Sequence, residues 1–121
     1  MNFCWVTLPV ADFKKSLDFY HGLLGLPIHS KHVGDGMEMA MLGEESQPKI
    51  EIIFLQENKS KKLTSDITVG LAVDSLESAI EFLKEHRIPI SRGPFSPNPN
   101  IQFLFIKDPD GYEVQLVEMK D

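Results

Sequence analysis

Glu51 stands between Ile50 and Ile52 in a strand-like run, so its carboxylate points away from the face those isoleucines bury. That places it toward a cleft or toward solvent. Trp5 lies in a second alternating run. Thr7 and Pro9 share its face, and Cys4, Val6, Leu8 and Val10 take the other. An indole gives a flat stacking surface, and Trp5 fits a pocket wall or a core position. A carboxylate on a cleft floor would favour a cationic or hydrogen-bond-donating ligand. Met37, Met39 and Met41 recur at period two. Such a stripe is core, or a cleft wall that adapts to bulky ligands. Phe103 and Phe105 have the same spacing and fit aromatic walls or helix packing equally, while Phe95 could lie over a cleft mouth. His21, His29, His32 and His86 are expected to be exposed. The spacing of His29 and His32 puts them on different faces of a strand, which is poor for metal binding. Cys4 alternates onto the helix-packed face, where a small inert hydrophobe is expected.

The elements that must position these residues repeat. Leu8-Pro9-Val10-Ala11-Asp12, then Leu17-Asp18-Phe19, then Leu26-Pro27-Ile28 form the first series. Leu71-Ala72-Val73-Asp74, Ile80-Glu81-Phe82 and Ile88-Pro89-Ile90 form the second. Strand-like segments follow each series. Two such units can pair about a pseudo-two-fold axis and leave a cleft lined by equivalent positions.

Strands are expected over residues 3–10, 26–33, 37–42 and 49–55, and again over 67–73, 101–107 and 112–118. Asp12 suits a helix N-cap, with Phe13, Leu17, Tyr20 and Leu24 at helical spacing and Gly25 at the end. Gly34-Asp35-Gly36 signals a hairpin turn. Asp74 with Glu77 reads as a capping box for the second helix, whose buried stripe is Leu76, Ala79, Ile80 and Leu83. Residues 92–100 hold Gly93, Pro94, Pro97 and Pro99, which predicts an extended loop. Asp108-Pro109-Asp110-Gly111 is a tight turn. Residues 56–66 are polar and lysine-rich and read as a linker. The element order is therefore β-α-β-β-β, twice, with modules at about 1–56 and 66–121.

A chain of 121 residues is one domain's worth and can bury a core without staples. A hydrophobic content of 42% and charged content of 25% are ordinary for a globular protein. The net charge of −6 argues against a nucleic-acid partner. The basic run Lys59-Ser60-Lys61-Lys62 reads as solvated linker. With a single cysteine no internal disulfide forms, which suits a cytoplasmic location. Neither a signal peptide nor an apolar run of membrane-spanning length is recognisable.

Val10-Ala11-Asp12, Ser16-Leu17-Asp18-Phe19-Tyr20 and Leu24-Gly25-Leu26 resemble the first module of the vicinal oxygen chelate superfamily. This group includes glyoxalase I, extradiol dioxygenases, and fosfomycin- and bleomycin-resistance proteins. Phe105-Ile106-Lys107-Asp108-Pro109-Asp110-Gly111-Tyr112, followed by Val114-Gln115-Leu116-Val117-Glu118, resembles its C-terminal signature. The resemblance covers essentially the whole chain. It implies an α+β fold in which two tandem βαβββ modules form a curled mixed sheet around a cleft, with helices on the outer face. It also implies a homodimer and, in the enzymes, a divalent metal on the cleft floor that polarises substrate oxygens.

The resemblance assigns the four metal-ligand positions to Trp5, Glu51, Thr68 and Gln115. Tryptophan offers a metal no lone pair, and a threonine hydroxyl is a poor ligand. Transition-metal sites favour imidazole or thiolate, and neither occurs at the four positions. No bound metal is therefore expected, although a divalent ion at Glu51 and Gln115 stays open. Thr68 fits a plain strand residue and Gln115 a partner for a neighbour as readily as a site. The first expectation is a small-molecule binder of the bleomycin-resistance kind, using Trp5, Thr7, Met39, Glu51, Thr68, Phe103 and Gln115. The alternative is a metal-dependent lyase or isomerase resembling glyoxalase I, with Glu51 as its best catalytic candidate. A dioxygenase ranks last, because its two-histidine-one-carboxylate set is absent. A scaffolding dimer with a filled cleft is the remaining option.

Overall fold

The computed structural model describes residues 3–58 and 67–120. The basic run at 59–62 lies outside them, as does most of the expected linker. The described residues fall into two compact units, divided between Thr64 and Ser65. Each has the expected β-α-β-β-β order.

In the first unit β1 is Trp5–Pro9, α1 is Phe13–Leu17, β2 is Ile28–Gly34, β3 is Met37–Leu42 and β4 is Lys49–Leu55. A wider π-helical stretch, Asp18–Leu23, continues α1. Asp12 caps the helix by accepting from the Lys15 amide at 3.1 Å. Gly25 leaves it with φ 80, a left-handed conformation that costs glycine little. The four strands run in the order β1-β4-β3-β2, with β1 parallel to β4 and the other neighbours antiparallel. Asp35 and Gly36 both have positive φ, as the tight β2–β3 hairpin requires. One face of the sheet buries Leu8, Ala40, Leu42, Ile50 and Ile52 with Phe13 and Tyr20 of the helix. Among the described residues of this unit no helix packs on the opposite face.

In the second unit β5 is Thr68–Ala72, α2 is Leu76–Glu85, β6 is Arg92–Asn98, β7 is Ile101–Lys107 and β8 is Glu113–Met119. The strand order is β5-β8-β7-β6, with β5 parallel to β8. Val69, Leu104, Ile106, Val114 and Leu116 are buried, with Leu76 and Leu83 of α2.

Two expectations are corrected. The cap of α2 is Ser75 rather than Asp74, and its hydroxyl accepts from the Ser78 amide at 3.2 Å. Glu118 Oε1, on β8, takes the Leu76 amide at 2.7 Å. Ser75 thus satisfies the Ser78 amide and a carboxylate from a distant strand satisfies the Leu76 amide, in place of the expected box at Asp74 and Glu77. Residues 92–98 form a strand instead of a loop. Its pairing with β7 is interrupted, at Arg92↔Phe105, Phe95↔Phe103 and Asn98↔Ile101. Prolines lack the amide a continuous ladder needs, and this edge strand accommodates them. Among the described residues no helix is long and apolar enough to cross a membrane.

Candidate functional site

The helix-free face of the first sheet carries Trp5, Thr7 and Glu51. Thr7 and Glu51 stand opposite each other on β1 and β4. The Thr7 hydroxyl donates to Glu51 Oε1 at 2.7 Å, which fixes the carboxylate. Oε2 has no hydrogen-bond partner among the described residues. Trp5, two residues before Thr7 on the same strand, is 51% exposed, so it is not a core residue. Met41 lies opposite Glu51 and Met39 opposite Ile53, both half-buried on this face. His32 pairs with Met39 across the hairpin and is exposed there. The two-residue turn at Asp35-Gly36 sets this register, with Gly34 opposite Met37, and the bulge between Ile28 and Ser30 lies beyond it.

The remaining histidines have local roles. His21 Nδ1 lies 2.8 Å from the Leu26 carbonyl, and His86 Nδ1 lies 2.9 Å from the Phe82 carbonyl. His29 Nδ1 is 3.1 Å from Glu45 Oε2. Cys4 precedes β1 and is exposed, not packed under the helix.

The helix-free face of the second sheet carries Thr68, Phe103 and Gln115. Thr68 lies opposite Glu113, and Gly70 opposite Gln115. The Thr68 hydroxyl donates to Glu113 Oε1 at 3.1 Å. Gln115 makes no side-chain hydrogen bond among the described residues. A methyl group at Gly70 would stand 3.7 Å from Gln115 Oε1, so the glycine leaves that amide uncovered.

Sequence reasoning missed the strongest polar contact on this face. Arg92 reaches over β7 to Glu113, donating from Nε to Oε2 at 2.9 Å and from Nη2 to Oε1 at 3.0 Å. The guanidinium lies 4.0 Å from the centre of the Phe105 ring. Phe103 and Phe105 meet edge to face at 5.6 Å, and Phe95 lies 5.8 Å from Phe103. The Arg92 hydrogen bonds hold the Glu113 carboxyl below its usual range, against a smaller opposing effect of burial. The Thr68 hydroxyl and the nearby charges of Arg92 and Lys107 act in the same direction as those bonds. The helix-free face of the second sheet therefore carries charges of its own, at Arg92 and Glu113. Reading residues 92–100 as a loop hid Arg92. The alternation of Glu113 with Gln115 was the signal that could have found its partner.

The strand registers support the assumed equivalence of positions. Trp5 opens β1 as Thr68 opens β5, and Glu51 is the third residue of β4 as Gln115 is of β8. These four positions do not make a good metal donor set. The indole N–H only donates. A threonine hydroxyl is a weak neutral ligand, which leaves Glu51 as the one carboxylate of the set. Among the described residues, no group of three or more His, Cys, Asp or Glu could hold a metal ion.

The family described as Glyoxalase/Bleomycin resistance protein/Dioxygenase superfamily matches residues 3–116. The chain belongs to this superfamily. A lactoylglutathione lyase of Escherichia coli O157:H7 is 28% identical over 129 residues, spanning 100% of this chain and 95% of the relative. The trypanothione-dependent glyoxalase I of Leishmania major superposes with a TM-score of 0.81 at 22% identity, covering 98% of this chain and 86% of that one. An antibiotic-binding protein from Streptomyces sp. CB03234 superposes with a TM-score of 0.74 at 17% identity, covering 99% and 97%. At these identities the two structures show a shared superfamily fold. That fold carries an enzyme in one case and a binder in the other, so activity must be argued from the side chains.

Proposed function

We propose that this superfamily member binds a small, partly aromatic or apolar molecule without a catalytic metal. Trp5, Thr7, Met39 and Glu51 are the binding residues of the first sheet. Thr68, Phe103 and Gln115 are those of the second. The observation that carries the proposal is the half-exposed Trp5 indole sharing a helix-free face with a carboxylate held by Thr7. Stacking on the indole contributes about 0.5–2 kcal/mol. A hydrogen bond to the free carboxylate oxygen contributes about 1.5–3 kcal/mol. Contacts of this size give modest affinity and broad selectivity. The preferred ligand at this face has a planar apolar part and a donor or positive group. The antibiotic-binding neighbour supports the role by precedent of fold only. A thermal-shift screen of planar amines and amidines tests the proposal, because a ligand of the native state raises its melting temperature. A screen in which no such compound shifts wild-type protein, or in which Trp5→Ala shifts equally, contradicts it.

One observation favours a second reading, a metal-dependent lyase or isomerase resembling glyoxalase I. It is the end-to-end match to a lactoylglutathione lyase at 28% identity. Glu51 would then be the candidate catalytic residue. Metal analysis of purified protein separates the two. Stoichiometric Zn, Ni, Fe or Mn that Glu51→Gln abolishes would put the lyase first. Both readings place the protein in a homodimer, which sedimentation at micromolar concentration checks.

A further inference from the structure

The Arg92 guanidinium is held in one orientation by contacts of two kinds. Glu113 takes the Nε–H and one Nη2–H, and the Phe105 ring lies against the guanidinium plane. Thr68 in turn steadies Glu113. The Nη1 hydrogens and the second Nη2 hydrogen have no acceptor among the described residues. The Arg92 side chain is 53% exposed, and Phe95 beside it is 44% exposed. A planar set of donors is thus presented next to an accessible aromatic surface.

We infer that Arg92, Phe95 and Phe103 form a subsite for an aromatic ring carrying a carboxylate or a similar planar oxygen acceptor. The inference rests on the proposed binding role and deepens it by assigning opposite polarities to the two faces. The first sheet offers an acceptor at Glu51, and the second offers donors at Arg92. A guanidinium fork recognises planar oxygen pairs that a lysine ammonium does not match. Holding the fork before the ligand arrives lowers the ordering cost of binding. The protein's net charge of −6 does not attract anions, so selectivity must come from the fork itself. The alternative is that the ion pair merely braces β6 over β8. An ion pair this exposed contributes little to stability, and a brace would have no effect on ligand choice.

The test uses isotope-labelled full-length chain, titrated separately with 2-naphthoate and 2-naphthamidine and followed by NMR. 2-Naphthoate is expected to shift the Arg92 Nε–H signal and the Phe95 and Phe103 amides. Arg92→Gln combined with Glu113→Gln removes both charges without stranding either. This double variant should bind 2-naphthoate about tenfold more weakly, the loss of one charge-assisted hydrogen bond. It should bind 2-naphthamidine at Trp5 within about twofold of wild type. Arg92→Lys keeps the charge without the fork and should also weaken 2-naphthoate, which guards against a folding defect in the double variant. The inference is overturned if 2-naphthoate fails to bind wild type at millimolar concentration. It is equally overturned if 2-naphthoate shifts only the Trp5 and Glu51 signals or binds all three proteins alike. In each case 2-naphthamidine still binding at Trp5 leaves the first-sheet reading intact. Binding of 2-naphthoate at Arg92 without any 2-naphthamidine binding at Trp5 supports the inference and sinks the first-sheet assignment.

Discussion

The helix-free faces of the two sheets are built on the same strand register with different side chains. Trp5 lies opposite Lys49 where the second unit has Thr68 opposite Glu113. Thr7 lies opposite Glu51 where the second unit has Gly70 opposite Gln115. Each face has one threonine–glutamate hydrogen bond, at the third rung of the β1–β4 ladder and the first rung of the β5–β8 ladder. The glutamates differ in their charge partners. Glu113 is neutralised by Arg92. Lys49 is turned into the preceding loop, where its ammonium donates to the Glu45 and Gln47 carbonyls, so it does not neutralise Glu51. The repeat therefore keeps the backbone frame and the helix-side core, and varies the open face. One face is left with an available acceptor beside an indole, the other with available donors beside phenyl rings.

The largest expected effects concern what the units share. Leu8 and Leu104 are fully buried on the helix sides of their sheets. Leu8→Ala and Leu104→Ala should each cost about 2–5 kcal/mol in urea unfolding. If Trp5→Ala or Phe103→Ala costs as much, the distinction between core face and open face fails.

Smaller effects should separate the faces. Trp5→Ala should weaken 2-naphthamidine binding by about 0.5–2 kcal/mol, measured by calorimetry, and change stability by only about 0.5 kcal/mol. The same substitution should leave 2-naphthoate binding nearly unchanged. Equal losses for both ligands would mean that the faces are not independent in recognition.

The smallest effect is in pH dependence. The folded-state pKa of Glu113 lies below its ordinary value of 4.5, so the unfolded chain takes up its proton first as pH falls. The stabilising contribution is fully present above about pH 5 and is lost as pH drops through the lower folded value. Urea midpoints of wild type and Glu113→Gln should differ by a constant amount from about pH 5 to 7 and converge below about 4.5. A difference that stays flat to about pH 3 would mean the Arg92–Glu113 pair is not formed in solution.

The frame was legible because its signals are local and periodic. Alternation around Ile50 and Ile52, the Asp12 cap and the Gly34-Asp35-Gly36 turn each specify backbone within a few residues. The same alternation separated Trp5 and Thr7 from Val6 and Leu8, and Glu51 from Ile50 and Ile52, but left the methionine stripe as core or cleft wall. What escaped depends on contacts distant in sequence. Glu118 satisfies the first turn of α2 from another strand. Arg92 meets Glu113 from a proline-interrupted strand whose pairing no local pattern announces.

The most direct test of the binding proposal uses the chain's single tryptophan, which gives one indole N–H signal and makes it a report on Trp5 alone. Titration with 2-naphthamidine should move that signal saturably in wild type. In Glu51→Gln the same titration should require about tenfold more ligand, the loss of a charge-assisted hydrogen bond. A signal that does not move in folded wild-type protein, or that titrates identically in Glu51→Gln, would contradict the assignment of Trp5 and Glu51 to one binding face.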